Sequence, residues 1–145
     1  MTNKKIILPI IGTIIAIVIG IIVSIYVRDI YLFEDAMTKN NENYCLKIFN
    51  NKTKEVCINN IAVIKNDVKI CSLLKDEKKT DLCYFDIGIT NKLQSACGLI
   101  KIENSRNICI DANIINQAIL SNDIKKCDEI TQESGNAYCK KQFLN

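Results

Sequence analysis

The stretch that decides the fold is CLKIFNNKTKEVC, residues 45–57, in which eleven residues separate two cysteines. The same interval returns in CSLLKDEKKTDLC (71–83), CGLIKIENSRNIC (97–109) and CDEITQESGNAYC (127–139). Steps of 12 and 14 residues between cysteines alternate, which makes a repeat of 26 residues, except that the step from Cys109 to Cys127 is 18. The four extra residues are about one helical turn, an insertion that a helix absorbs with little rotation of its later residues.

Other positions repeat together with the cysteines. An aliphatic residue stands three after each first cysteine: Ile48, Leu74, Ile100 and Ile130. A large apolar residue precedes each second cysteine: Val56, Leu82, Ile108 and Tyr138. A small residue follows the second cysteine by five, once the insertion is subtracted: Ala62, Gly88 and Ala118.

These spacings are helical. Pairs four apart, such as Cys57–Ile61 and Cys83–Ile87, lie on one helix face, and no segment alternates apolar and polar residues as a strand would. The sequence therefore predicts an all-α protein with four short αα-hairpins in an array. Asn66-Asp67 and Asn122-Asp123 are the expected N-caps of first helices. The expected N-caps of second helices are Thr53, Thr80 and Ser105.

The constant interval indicates disulfides within each hairpin. Repeat symmetry allows pairing within a hairpin or between neighbouring hairpins, and the insertion falls between hairpins while all four internal steps stay at 12. Pairing between hairpins would also leave Cys45 and Cys139 without partners. The predicted disulfides are Cys45–Cys57, Cys71–Cys83, Cys97–Cys109 and Cys127–Cys139. Each closes a short loop, worth about 3 kcal/mol in the chain-entropy model, which offsets the small core of so short a hairpin.

A membrane anchor precedes the repeats. Residues 6–27 contain no charge, and these 22 residues rise about 33 Å as a helix, enough to cross a hydrocarbon core of about 30 Å. No small-residue cleavage site comes after them, so we expect an uncleaved signal anchor. The predicted organisation is a transmembrane helix over 1–28, a juxtamembrane helical linker over 29–39 and the hairpin repeats over 40–145.

Charge and cysteine content predict the orientation. Lys4 and Lys5 precede the apolar segment, whereas Arg28 is followed by acidic residues, so the positive-inside rule favours a cytoplasmic N-terminus. Disulfides persist mainly in oxidising compartments, which favours a C-terminal domain outside the cytoplasm, at the cell surface. Lys4, Lys5 and Arg28 account for the net charge of +3, so the remainder is neutral and lacks the basic face that nucleic-acid binding requires.

Small residues four apart mark one face of the apolar segment. Gly12, Ala16, Gly20 and Ser24 occupy this face over three turns, an arrangement that lets two helix backbones approach closely in lipid. The alternative is that small residues fell into this register by chance. If the pattern is functional, the anchor packs against another transmembrane helix, from its own copy or from a partner subunit.

Chemistry-bearing motifs are sparse. The chain has no histidine and no C-x2–4-C knuckle or C-x-x-C motif, so we expect no metal, no cofactor and no thiol–disulfide catalysis. Phosphate-binding loops and catalytic dyads are also missing from the sequence, and we expect no enzymatic activity. Asn51-Lys52-Thr53 is an N-glycosylation sequon at a predicted hairpin tip, so Asn51 is a candidate glycosylation site.

The pattern C-x2-[IL]-x8-C-x4-[AG] over residues 40–145 resembles tandem cysteine-paired helical repeats of exported, membrane-anchored proteins in archaea and some bacteria, a group without an established common activity. The resemblance implies fold and location, not chemistry. Two functions are therefore expected: a membrane-anchored module that binds proteins outside the cytoplasm or serves as an accessory subunit of a membrane complex, or a structural subunit of a surface filament or layer. The filament hypothesis expects assembly through the apolar N-terminal helix, as in pilins, after a processing event that the start MTNKKIIL does not favour.

Overall fold

The computed structural model describes the backbone of residues 4–144 and the side chains of residues 11–144. Met1, with which the predicted anchor begins, lies outside the described residues. The side chains of Lys4 and Lys5, on which the predicted orientation partly rests, lie outside the described side chains.

Long and short helices alternate along the chain. The long helices are α1 (Lys4–Lys39), α3 (Asn51–Lys65), α5 (Glu77–Thr90), α7 (Glu103–Ser121) and α8 (Glu133–Lys141). The short ones are α2 (Glu42–Leu46), α4 (Val68–Cys71), α6 (Gln94–Cys97) and a 3₁₀ helix over Ile124–Glu129. The described residues contain no strand, so the predicted all-α class with a long N-terminal helix and stapled short helices is confirmed.

The chain divides into two compact units, residues 1–57 and 58–145. The first unit contains α1, α2 and the beginning of α3. Along α1 the side chains from Ile11 to Ser24 are all exposed, and Asp29 is the first buried residue of the described side chains. The helix nevertheless continues without a break for 36 residues, so its apolar part and its packed part share one axis.

A left-handed residue ends each of the first four long helices. Asn40, Asn66, Lys92 and Asn122 have φ between 47° and 55°. Asparagine tolerates this conformation better than other non-glycine residues, which explains its use at three of the four turns. The next residue is then the N-cap of a short helix, as at Asp67, whose carboxylate accepts a hydrogen bond from the Lys69 amide at 2.9 Å.

The predicted N-caps of first helices are therefore confirmed at Asp67 and also at Asp123, whose side chain accepts from the Lys125 amide. The predicted caps of second helices are wrong. Thr53, Thr80 and Ser105 lie inside α3, α5 and α7. The caps come earlier in the chain, because the return turn after each short helix is shorter than the polar segments suggest.

Asp76, for example, caps α5 by accepting from the Lys79 amide at 3.1 Å. Thr80 instead donates its hydroxyl to the carbonyl of Asp76 at 3.0 Å. Thr80 thus lies inside the helix and donates to the carbonyl of the N-cap residue, whereas the side chain of Asp76 is the cap.

Each disulfide joins a short helix to the long helix that follows it. The four bonds are the predicted ones, with Cα–Cα distances of 5.5–5.7 Å, and all eight cysteines have an exposed fraction of 0%. The aliphatic residues three after the first cysteines are buried around them, with Ile48 and Ile100 at 1% exposure. The disulfides and these aliphatics therefore form the centre of every hairpin.

The small residues Gly88 and Ala118 pack against the next disulfide. A Cβ built on Gly88 would lie 2.5 Å from Sγ of Cys109 and 2.8 Å from Sγ of Cys97, closer than real atoms pack. Gly88 is thus required by the close approach of α5 to this disulfide. The register continues upstream, because Ala36 stands nine residues before Cys45 just as Gly88 stands nine before Cys97, and Ala36 is fully buried.

Candidate functional site

A buried aspartate on one long helix accepts hydrogen bonds from the backbone directly before the next long helix. It therefore holds the start of that next helix in place. In the second unit, Asp81 of α5 accepts hydrogen bonds from the backbone amides of Lys101 at 3.1 Å and Ile102 at 2.9 Å, directly before α7. Asp111 of α7 accepts from the amides of Thr131 and Gln132 at 3.0 and 3.1 Å, directly before α8. We call this arrangement, an aspartate with two consecutive backbone donors, a carboxylate clamp.

The first unit has the same carboxylate clamp. Asp29 of α1 accepts from the amides of Phe49 at 2.9 Å and Asn50 at 2.8 Å, directly before α3. The negative charge also lies at the amino end of the next helix, where the aligned peptide dipoles favour an anion. Each carboxylate is therefore buried and accepts hydrogen bonds from the backbone, an arrangement that favours structure over acid–base chemistry.

Sequence reasoning missed the carboxylate clamps although a signal was present. An acidic residue stands sixteen positions before each first cysteine: Asp29, Glu55, Asp81 and Asp111. Relative to the second cysteines the register changes, because Asp81 is two residues before Cys83 whereas Asp111 is two residues after Cys109. The four-residue insertion therefore lies within α7, which has 19 residues against 14 in α5, and one extra turn returns the aspartate to the same face.

The cysteines themselves offer no reactive thiol. All eight are bonded and buried, so they are structural. A buried amide reinforces one of these bonds, because Asn113 Nδ2 donates to the carbonyls of Gly88 and Cys109 at 3.0 Å each. Within the described residues no group of three or more metal-binding side chains comes together.

The small residues of the apolar helix face open space. Gly12, Ala16, Gly20 and Ser24 are all exposed, and a Cβ added at either glycine would meet nothing within 4 Å. Ser24 Oγ donates to the carbonyl of Gly20 at 2.8 Å, which satisfies the hydroxyl inside its own helix. The face is therefore open to a second helix, and its pairing stays a prediction.

The candidate glycosylation site lies at a helix start. Asn51 is the first residue of α3 and its side chain is exposed. The backbone amide of Thr53, the third residue of the sequon, donates to Asn50 Oδ1 at 3.1 Å. Modification of Asn51 stays a prediction that this exposure permits.

An apolar groove opens between α5 and α7 in the second unit. It has a volume of about 430 Å³, and its apolar lining comes from Leu82, Phe85, Ile102 and Ile108. Leu82 is 50% exposed and Ile108 is 41% exposed, although both occupy repeat positions next to buried cysteines. Side chains of this size are ordinarily exposed singly, so four around one groove mark a surface suited to binding.

The rim of this groove is charged. Lys78 and Lys79 line it on α5. Nearby, Lys101 Nζ donates to Glu77 Oε2 at 2.8 Å, and this hydrogen bond and its charge raise the pKa of Lys101. The same kind of surface pair occurs on α8, where the Lys140 ammonium lies 2.7 Å from Asp128 and lowers the pKa of that carboxyl. The lining of the groove thus combines its four apolar side chains with Lys78, Lys79, Asp81 and Ser105.

Comparison with known proteins adds no assignment. No protein-family model, no curated protein and no solved structure matches this chain. The surfaces that bear on function are the exposed apolar part of α1 and the groove between α5 and α7.

Proposed function

We propose that the chain is a membrane-anchored helical-repeat module that lies outside the cytoplasm and binds a protein partner, as an interaction module or an accessory subunit of a membrane complex. The single observation that supports this most strongly is the exposure of α1. Its apolar part has a mean hydropathy of 2.3, and none of that segment is buried within the molecule. An apolar helix of this length that packs on nothing in its own chain is suited to a bilayer.

Location outside the cytoplasm is supported by the disulfides. Four disulfides in a chain of 145 residues, each buried at the centre of a hairpin, are typical of an oxidising compartment. The location matches that implied by the resemblance to exported cysteine-paired repeats. Protease added to intact cells tests the orientation: digestion of the repeats is expected, and their protection would contradict the proposed topology.

Binding of a protein partner is supported by the groove between α5 and α7. Its apolar side chains lie on α5, on α7 and at the residue before α7. The Asp81 clamp joins α5 to the start of α7, and disulfides join each of the two helices to the short helix before it, so the surface is preformed. Rigid, preformed apolar surfaces bind with a small loss of conformational entropy. The exposed Leu82 and Ile108 are the side chains expected to contact the partner.

The experiment compares matched surface variants purified from native membranes in mild detergent without reductant. Leu82→Glu and Ile108→Glu place a charge in the groove, and Leu120→Glu places the same charge at a site 74% exposed. We expect a partner to co-purify at fixed ratio with the wild type and the Leu120 variant, and to be lost from the groove variants. Intact mass, short by the eight hydrogens of four disulfides, verifies folding of each protein.

A structural role in a surface filament is the second candidate. It is favoured by the unbroken course of α1, which carries the apolar residues and then enters the packed first unit as one helix. A subunit that assembles through such a helix would purify as long polymers, without a partner of different sequence. Polymers that persist in both groove variants would overturn the interaction-module proposal and support the filament.

A further inference from the structure

The carboxylate clamp of the first unit sets the position of an exposed aromatic residue. Phe49 belongs to the return turn between α2 and α3, and its side chain is 70% exposed although Ile48 beside it is 1% exposed. Its backbone amide donates to Asp29 at 2.9 Å. The turn is therefore held against α1 at one defined level.

That level is the end of the apolar segment. Side chains on a helix lean toward its amino end, so the Asp29 carboxylate covers the preceding turn of α1. In agreement, Ile25, one turn before Asp29, is half-buried whereas the side chains from Ile11 to Ser24 are all exposed. Phe49 thus lies beside the last turn of the segment that is proposed to cross the membrane.

The surroundings suit the boundary between headgroups and hydrocarbon. Tyr26 and Tyr31 are 68% and 64% exposed on α1, one on either side of the carboxylate clamp. Tyrosine and tryptophan side chains concentrate at this boundary. Lys47 and Lys52 are exposed on either side of Phe49, where they can attract anionic headgroups. The headgroup layer is roughly 5–7 Å thick on each side, about one helical turn, so a residue level with this turn falls within it.

We infer that the turn 48–50 is a second membrane contact, in which Phe49 inserts at the boundary between lipid headgroups and acyl chains and the neighbouring lysines bind anionic headgroups. This inference rests on the proposed anchoring of α1 in a bilayer. The contact would hold the first unit directly on the membrane surface, because α1 and the turn enter the same lipid layer. Asp29 acts here as a positioning residue through its two hydrogen bonds.

The chain contains no tryptophan, so single-tryptophan variants report one position each. The full chain is reconstituted in vesicles of phosphatidylcholine, with and without phosphatidylglycerol, that carry a brominated lipid as quencher. Phe49→Trp reports the proposed contact, Tyr26→Trp the anchor, and Tyr138→Trp, at a site 57% exposed in the second unit, the aqueous reference. We expect emission from position 49 to be blue-shifted and quenched several-fold more than from position 138, more strongly with phosphatidylglycerol.

The outcomes separate the inference from the proposal on which it rests. Quenching at position 26 without quenching at position 49 would overturn the membrane contact and leave the anchor intact. A lack of quenching at position 26 would overturn the anchor itself. If the tryptophan at position 49 is shielded from water in native membranes but not in pure lipid vesicles, a protein covers this position. That result would also overturn the inference.

A second variant tests the positioning by Asp29. Asp29→Asn in the Phe49→Trp background removes the charge and weakens the hydrogen bonds to the turn. We expect brominated-lipid quenching at position 49 to fall several-fold while quenching of a separate Tyr26→Trp, Asp29→Asn protein stays unchanged. Intact mass with all disulfides formed verifies folding, and undiminished quenching at position 49 would contradict the positioning role.

Discussion

Replacement of Asp81 tests whether the carboxylate clamps stabilise the repeat. Its Oδ2 accepts from the amides of both Lys101 and Ile102, and its Oδ1 from that of Lys101. A hydrogen bond to a charged group contributes about 1.5–3 kcal/mol, and a buried donor left without a partner costs about 1–3 kcal/mol. Lys101 and Ile102 are exposed, so water can replace part of the lost hydrogen bonding. We therefore expect Asp81→Ala to lower the free energy of unfolding by about 2 kcal/mol, toward the lower end of these two ranges.

Asp81→Asn isolates the role of charge. The amide oxygen in place of Oδ2 keeps both acceptor contacts, but the new NH₂ group faces the Lys101 amide, which is also a donor. We expect a cost of about 1 kcal/mol, between those of the wild type and Asp81→Ala. The matched control is Asp128→Asn, the same chemical change in an exposed pair with Lys140, for which no measurable loss is expected.

Native-state hydrogen exchange of amides in the middle of α7 measures these effects in the full chain with its disulfides intact. A loss of about 2 kcal/mol corresponds to exchange about 30-fold faster if opening of α7 limits exchange. Amides at Lys101 and Ile102 are not used, because they lose their acceptor directly. Equal exchange in the Asp81 and Asp128 variants would refute the reasoning.

Two further predictions concern packing and modification. Gly88→Ala should destabilise the protein by about 1–2 kcal/mol, because overpacking against the Cys97–Cys109 disulfide outweighs the helix-propensity gain of alanine. Ala62→Gly, the inverse change at the equivalent buried position, should also destabilise the protein. A rise in thermal midpoint for Gly88→Ala would contradict the close contact. Asn51→Gln tests glycosylation of the exposed sequon in the native host: a lower apparent mass on gels than the wild type shows a glycan, which between Phe49 and Lys52 would contradict insertion of that turn into lipid, whereas a wild-type intact mass equal to that of the bare chain rules the glycan out.

The disulfides and the caps of short helices could be predicted because their signals are local. The paired cysteines are 12 residues apart, and Asp67 directly precedes the helix that it caps. The carboxylate clamps join residues twenty or twenty-one apart, as from Asp81 to Lys101 and Ile102. The repeat marks the acidic positions, but the backbone amides that they bind are identified only by the fold.

The groove could not be predicted because an apolar residue that recurs in the repeat is not thereby buried. Leu82 and Ile108 recur with the cysteines, yet each precedes a buried cysteine by one residue and is rotated by about 100° from the core face of its helix. Phe85 and Ile102 gave no repeating signal at all. What makes the four a groove is the approach of α5 to α7.

The segment 29–39, predicted as a linker, matches part of the repeat although it contains no cysteine. Asp29, Ala36 and Asn40 stand where Asp81, Gly88 and Lys92 stand relative to the next first cysteine. The absence of a cysteine in this segment hides the match from a search based on cysteines. In the structure these residues form a carboxylate clamp, a buried small position and a left-handed turn, the same three features as in α5.

Disulfide and carboxylate clamp complement each other, and together they account for the exposed apolar surface. The disulfide holds a short helix to the long helix after it, whereas the clamp holds the start of that long helix to the preceding long one, as Cys97–Cys109 and Asp81 do for α7. Where a repeat has both the disulfide and the clamp, fewer large apolar side chains are needed in its core. Leu82 and Ile108 can therefore remain exposed, whereas a small domain without disulfides and carboxylate clamps would need such side chains in its core.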